Sequence, residues 1–355
     1  MNISLTMRDT RQGVIITALA VLLVATALLS LTTGAVSIPV SDVFVILLHK
    51  TGLINNVSID STHELILTTI RLPRIFMTLL VGAALGVSGA ALQGLFRNPL
   101  VEPGLIGVSG GSAAGVVLMI VFGGALFVST DTLFYHALIP VVAFAGGALA
   151  TFIVLGLGKQ SGKTNIAVLV LTGVAVNALA GSIIGLSVFY ADENQLRTFT
   201  FWTLGDLGGA TAGKLIVAAP LLIGSVAVLL FQSRALNAIA LGEAEAYHMG
   251  VNVERTKHII VFFSALAVGV SVSLAGIIGF IGLVIPHLVR VLFHSDHRLV
   301  LPASVLGGAW LLLVADIIAR TLVAPAELPI GVMTSLIGAP FFIALLMKAK
   351  LNNQL

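Results

Sequence analysis

The 355-residue sequence predicts an all-α polytopic membrane protein with about ten transmembrane helices and an inverted internal repeat. Three observations carry this. Hydrophobic residues make up 58% of the chain and charged residues 9%, far more apolar than a soluble domain requires. Gly is abundant, at 37 residues, as expected where helices pack in lipid and small residues let backbones approach. The charges gather between apolar runs long enough to span a bilayer. Residues 1–355 therefore read as a single transmembrane domain. Cys is absent, which removes disulfides and thiolate metal sites. The net charge of +3 is read by its distribution over loops, and no nucleic-acid partner is expected.

The first span has its core at 14–34. Arg8 and Arg11 ahead of an apolar run resemble a signal peptide, but Val14–Leu31 is longer than such a peptide's apolar region and reads as an uncleaved span. Arg71-Leu72-Pro73-Arg74 opens the second span, 72–95, with Pro73 suited to a first helical turn. Further cores lie at 104–123, 135–157, 165–190, 213–231, 258–276, 278–293, 301–322 and 331–348. Spans seven and eight are split only by Gly276, Gly279 and Gly282, with no polar loop.

Ten spans put both termini on one side. That side carries twelve of the 18 Lys and Arg residues, against six on the other, so it is expected to be cytoplasmic. Val81–Ala90 and Val268–Ile277 resemble each other at an offset of 187, pairing Gly82 with Gly269, Gly89 with Gly276 and Pro99 with Pro286. These copies fall in spans two and seven, which run in opposite directions, as in transporters built from inverted repeats.

The densest charge lies in Leu241–Lys257, where Glu243, Glu245, Glu254, Arg255 and Lys257 sit between two apolar stretches. A polar helix there, on the cytoplasmic side and ended by Gly250, offers a surface on which a soluble partner can push. Gly162-Lys163-Thr164 is only a fragment of a nucleotide-binding loop, because Leu157 stands where the first Gly is needed. It reads as a short turn, so the chain is not expected to hydrolyse nucleotide or to be an enzyme.

Few ionisable residues fall within spans. Asp316 and Arg320, four apart, share a helix face and can pair. Glu102 reads as a loop or helix-start residue. His294 and His297 read as solvated loop residues, and His287 as a packing or capping residue at a helix start after Pro286. His248 and His258 bracket the charged segment, either as polar groups of a docking surface or as haem contacts. Arg71 and Arg74 are either interfacial anchors or receivers of carboxylates from an outer partner. An ion-coupled carrier would show carboxylates deeper in several spans, and a membrane enzyme would need a nucleophile–base or metal constellation; neither pattern is present in the sequence.

Several segments together closely resemble the permease subunits of type II ABC importers for cobalamin, ferric siderophores and haem, the FecCD-like family. They are RLPR at 71–74, VGAALGVSGAALQGLFRNPLVEPGLIGVSGG at 81–111, LGEAEAYHMGV at 241–251, GFIGLVIPHLVR at 279–290, DHRLVLP at 296–302 and AELPIGVMTSLIGAPFF at 326–342. The resemblance implies a multi-pass protein of the bacterial inner membrane, acting as a homodimer with a pathway at its interface. It implies two cytoplasmic ATP-binding subunits, which use the ATP, and a periplasmic substrate-binding protein; no permanent cofactor or metal is implied. By the same resemblance, a coupling segment at about 236–257, with Leu241, Gly242, Glu243, Ala244, Glu245 and Gly250, seats on the ATPase. Arg71, Arg74 and Arg320 receive glutamates of the binding protein, span five lines the pathway, and Thr164 lies near the cytoplasmic gate. Phe201-Trp202-Thr203-Leu204-Gly205, with His248 and His258, most resembles haem permeases, while VEPGLIGVS also fits cobalamin permeases.

Overall fold

The computed structural model describes residues 2–54, 59–123, 133–160 and 163–351. The first half contains α1 (Asn2–Thr32), α2 (Val40–Lys50), α3 (Ser61–Leu65), α4 (Leu72–Phe96), α5 (Val108–Phe122), α6 (Leu133–Leu157) and α7 (Ile166–Tyr190). The second contains α8 (Glu193–Leu204), α9 (Ala212–Phe231), α10 (Ser233–Leu241), α11 (Glu243–His248), α12 (Val253–Ala275), α13 (Ile281–Leu292), α14 (His297–Thr321) and α15 (Ile330–Leu351). Seven helical runs, in α1, α4, α6, α7, α9, α12 and α14, are long and apolar enough to cross a membrane. Val108–Phe122, Ile281–Leu292 and Ile330–Ala344 are shorter apolar helices, and together these ten match the expected spans one for one.

Helix α4 forms the centre, packed by α9, α12, α13 and α14. Glycine decides how close they come. Gly82 lies against the Gly308 backbone of α14, so that an added Cβ would stand 2.8 Å from Ala309 Cα. Gly89 faces the Gly282 carbonyl of α13 in the same way. The outer helices are different: only 11% of the α1 window and 17% of the α7 window is buried, which leaves apolar faces turned outward.

Three expectations need correction. Arg71-Leu72-Pro73-Arg74 does not open a helix: the run Ser61–Phe96 is continuous, and Ile66–Arg71 winds as a π-helix just before Pro73. A proline ring collides with the carbonyl four residues back, and a wider turn relieves that. Pro286 and His287 sit inside α13, which begins earlier because Phe280 takes a left-handed φ of 69° at its cap. His297 is not a solvated loop residue but the buried first residue of α14, with Asn237 Oδ1 2.8 Å from its Nδ1. The short turn expected before α7 is there, built as a small antiparallel hairpin of β1 (Lys159–Gln160) and β2 (Lys163–Thr164), with Lys159 opposite Thr164. Gly162 of that turn lies outside the described residues.

The repeat helices α4 and α12 pack against each other. Residues paired at the offset of 187 do not share local geometry, however. Gly89 lies within α4, whereas Gly276 caps α12 with a φ of 70°. Pro99 lies in the turn after α4 and Pro286 within α13.

Candidate functional site

One end of the bundle carries the charged segment, and the structure turns much of its charge inward. Helix α11 is held between two glycines in conformations that disfavour other residues, Gly242 at φ 139° and Gly250 at φ 81°. Its Glu243 accepts a hydrogen bond from Lys257 Nζ at 2.8 Å. Lys257, on α12, is buried, and its ammonium also donates to the Thr164 carbonyl at 3.1 Å. Thr164 is buried too, and donates both its backbone N–H, at 2.7 Å, and its hydroxyl to Glu254 Oε1. The first turns of α12 therefore bind both α11 and the β-hairpin. An Asn252 cap on the Arg255 N–H starts α12 at this point.

What this end presents outward includes large apolar side chains beside the exposed Glu245, His248 and Arg255. Leu241, Tyr247 and Met249 are 68%, 73% and 63% exposed, and Tyr247 also lines an open cleft of about 1390 Å³. Thr164, Glu243, Ala244, His248, Gly250 and Lys257 line that cleft together with Arg97, whereas Leu241, Gly242 and Glu245 do not. The two histidines are used differently. His248 lines the cleft, its ring 6.1 Å from that of Tyr247. His258 Nε2 is turned to Thr164 Oγ1 at 3.4 Å and Glu254 Oε1 at 3.7 Å. Among the described residues, no group of three or more His, Asp or Glu is placed to hold a metal ion.

The opposite end holds the three arginines expected to dock a partner. All are buried, and each donates to acceptors within the chain. Arg71 donates to the carbonyls of Leu31 and Val36. Arg320 donates to Thr33 O and Ser30 O, each at 3.1 Å, and its Nε lies 3.2 Å from Asp316 Oδ2. Arg74 joins Asp316 Oδ1 at 2.9 Å and grips both oxygens of Glu327, at 2.8 and 3.0 Å. Asp316 is fully buried, whereas the Glu327 side chain is 45% exposed. The expected Asp316–Arg320 pair thus exists, inside a larger network. Sequence reasoning missed Glu327, whose only signal was its place in the AELPIG segment.

Between the ends, the loops after α4 and α12 meet. Gln93 donates to Gly282 O at 3.1 Å and Val101 O at 3.3 Å, while its own carbonyl accepts from Arg290. Glu102 caps a short 3-10 helix, Pro103–Ile106, so it stands at a helix start, and it accepts from the Phe280 N–H at 3.4 Å across the repeat.

This geometry has a matching family. The model of the FecCD transport family covers residues 22–348. This chain belongs to the FecCD transport family. The FecCD chain is 42% identical over 332 residues to the hemin transport system permease protein HmuU of Yersinia pestis, covering 94% of this chain and 95% of that one. It is 41% identical over 290 residues to the vitamin B12 import system permease protein BtuC of Escherichia coli, covering 81% and 85% of the two chains. A solved structure described as an inward-facing conformation of a metal-chelate type ABC transporter superposes with a TM-score of 0.80 at 34% identity, over 95% of this chain and 99% of that one. The FecCD chain is thus a permease of a type II ABC importer, with the all-helical membrane fold of that family.

Proposed function

We propose that this permease carries haem inward across a bacterial inner membrane, as a homodimer served by two ATP-binding subunits and a periplasmic binding protein. The observation that carries the substrate reading is the 42% identity with HmuU along 94% of this chain. The cobalamin permease BtuC, at 41% over 81% of the chain, supports cobalamin as the second reading.

In this reading the Lys257 end and both termini face the cytoplasm, in keeping with the excess of Lys and Arg on that side. Helix α11, with Leu241, Gly242, Glu243, Ala244 and Glu245 at its start and Gly250 behind it, seats on the ATPase. The exposed apolar rim of Leu241, Tyr247 and Met249 supports that role. Thr164 stands at the gate, and His248 and His258 meet haem as it leaves. Helix α7 lines the pathway against the second copy; its exposed Leu171, Leu179, Leu186 and Phe189 supply the apolar face. Arg71, Arg74 and Arg320 form the outer seat for the binding protein. Because Arg74 already holds Glu327, docking there proceeds by exchange of one carboxylate for another.

The test is reconstitution of the permease with its ATPase and binding protein in liposomes. ATP-driven uptake of haem, with cobalamin and a ferric siderophore left outside, is the expected result. Uptake of cobalamin without haem would replace the substrate. Uptake that collapses with an uncoupler at constant ATP would remove the ATP-driven mechanism.

A further inference from the structure

We infer that Lys257 is the positioning residue that ties α11 to the β-hairpin, so that a displacement of α11 is delivered to Thr164. The inference rests on the reading that α11 seats on the ATPase. Helix α11 and the hairpin both border the open cleft, and Lys257 reaches each of them from α12. Its ammonium holds the Glu243 carboxylate on one side and the Thr164 carbonyl on the other.

Burial makes this bridge stiff. The Lys257 side chain is 6% exposed, so losing either acceptor leaves a charge with little water to replace it. Glu254 adds a second tie between α12 and Thr164, through the backbone N–H and the hydroxyl. The glycines at Gly242 and Gly250 place the freedom at the ends of α11 rather than within it. A push on the exposed face of α11 then moves Glu243, Lys257 and Thr164 together. Arg255 is close in sequence but exposed, and takes no part.

The test uses the assembled complex of permease, ATPase and binding protein in liposomes, selected for bound ATPase. Lys257→Met keeps the stem and removes the ammonium, Lys257→Arg keeps the charge, and Glu243→Gln removes the partner charge on a side chain that is 42% exposed. Haem transported per ATP hydrolysed is expected to fall about tenfold in Lys257→Met and Glu243→Gln, with partial recovery in Lys257→Arg. A normal ratio in Lys257→Met overturns the inference. So does an equal loss of transport and hydrolysis, which would mark a purely structural residue. If Lys257→Met does not assemble, Glu243→Gln decides by the same two criteria. The underlying reading is tested separately, by co-purification of the ATPase with Tyr247→Ala on α11; full retention there removes α11 as the seat, whatever Lys257 does.

Discussion

Arg74 Nε lies 2.9 Å from Asp316 Oδ1 and joins the start of α4 to the last turns of α14, across 242 positions of sequence. The carboxylate is wholly buried and is shared with Arg320. Such a group is retained only while its charge is matched, because a lone buried ion is far costlier than the pair. This junction holds that end of the bundle together, and in the proposed function it sets the terms on which the binding protein docks.

Asp316→Asn is expected to lower the stability of the purified protein by about 3 kcal/mol, since it leaves Arg320 without its carboxylate and Arg74 with Glu327 alone. Thermal unfolding in detergent measures this. A melting temperature equal to wild type would show that the arginines are satisfied without Asp316. By the same reasoning, charge reversal at Arg74 places a carboxylate against Asp316 and Glu327, so it reports on folding before it can report on docking.

Glu327→Gln separates docking from folding. The carboxylate is half-exposed and occupies the Arg74 position that a binding-protein carboxylate would need. Its removal is expected to raise affinity for the binding protein about fivefold, by freeing a receiving state that is otherwise mostly filled. Biolayer interferometry on the solubilised permease reads this. Unchanged or weaker binding would remove Arg74 as the receiving group.

Gly89→Ala is expected to abolish a monodisperse peak in size-exclusion chromatography, because its Cβ would collide with the Gly282 carbonyl and force α4 from α13. Overpacking of this kind costs about 3 kcal/mol or more where the obstacle is backbone. Gly224→Ala is the control, since nothing lies within 4 Å of its added Cβ and it should behave as wild type. Similar losses in both would point to general fragility rather than to the α4–α13 contact.

Leu241→Asp and Tyr247→Ala are expected to reduce ATPase co-purification about tenfold while leaving the permease itself monodisperse. Both side chains are more than two-thirds exposed, so folding has little stake in them. Loss of the monodisperse peak would show instead that they support the fold.

His248→Ala and His258→Ala test the haem contacts apart from the coupling. His248 lines the cleft, whereas His258 sits on Thr164 and Glu254. The expected outcome is less haem moved per ATP in either variant, with ATP hydrolysis retained. Normal transport per ATP in both would end the haem-contact role.

The sequence by itself determined the ten apolar helices and the family. These follow from chain-local properties: run length, glycine content, the charge density of 241–257 and motifs preserved as text. It also located the Asp316–Arg320 pair, because a four-residue spacing fixes a shared helix face. Only the tertiary structure decided which way the charges point. The charged segment read as a charged surface, yet Glu243, Glu254 and Lys257 turn toward one another or toward Thr164, and Leu241, Tyr247 and Met249 stand outward beside Glu245 and Arg255. Likewise Arg71 and Arg74, read as interfacial anchors or receivers of a partner's carboxylates, are buried on acceptors from α1, α14 and the loop before α15. Lipid and water fix how apolar each run must be, and that is written locally. The partner of a buried charge is fixed by which helix ends packing brings within 3 Å, and residues more than two hundred positions apart leave no local mark of that meeting.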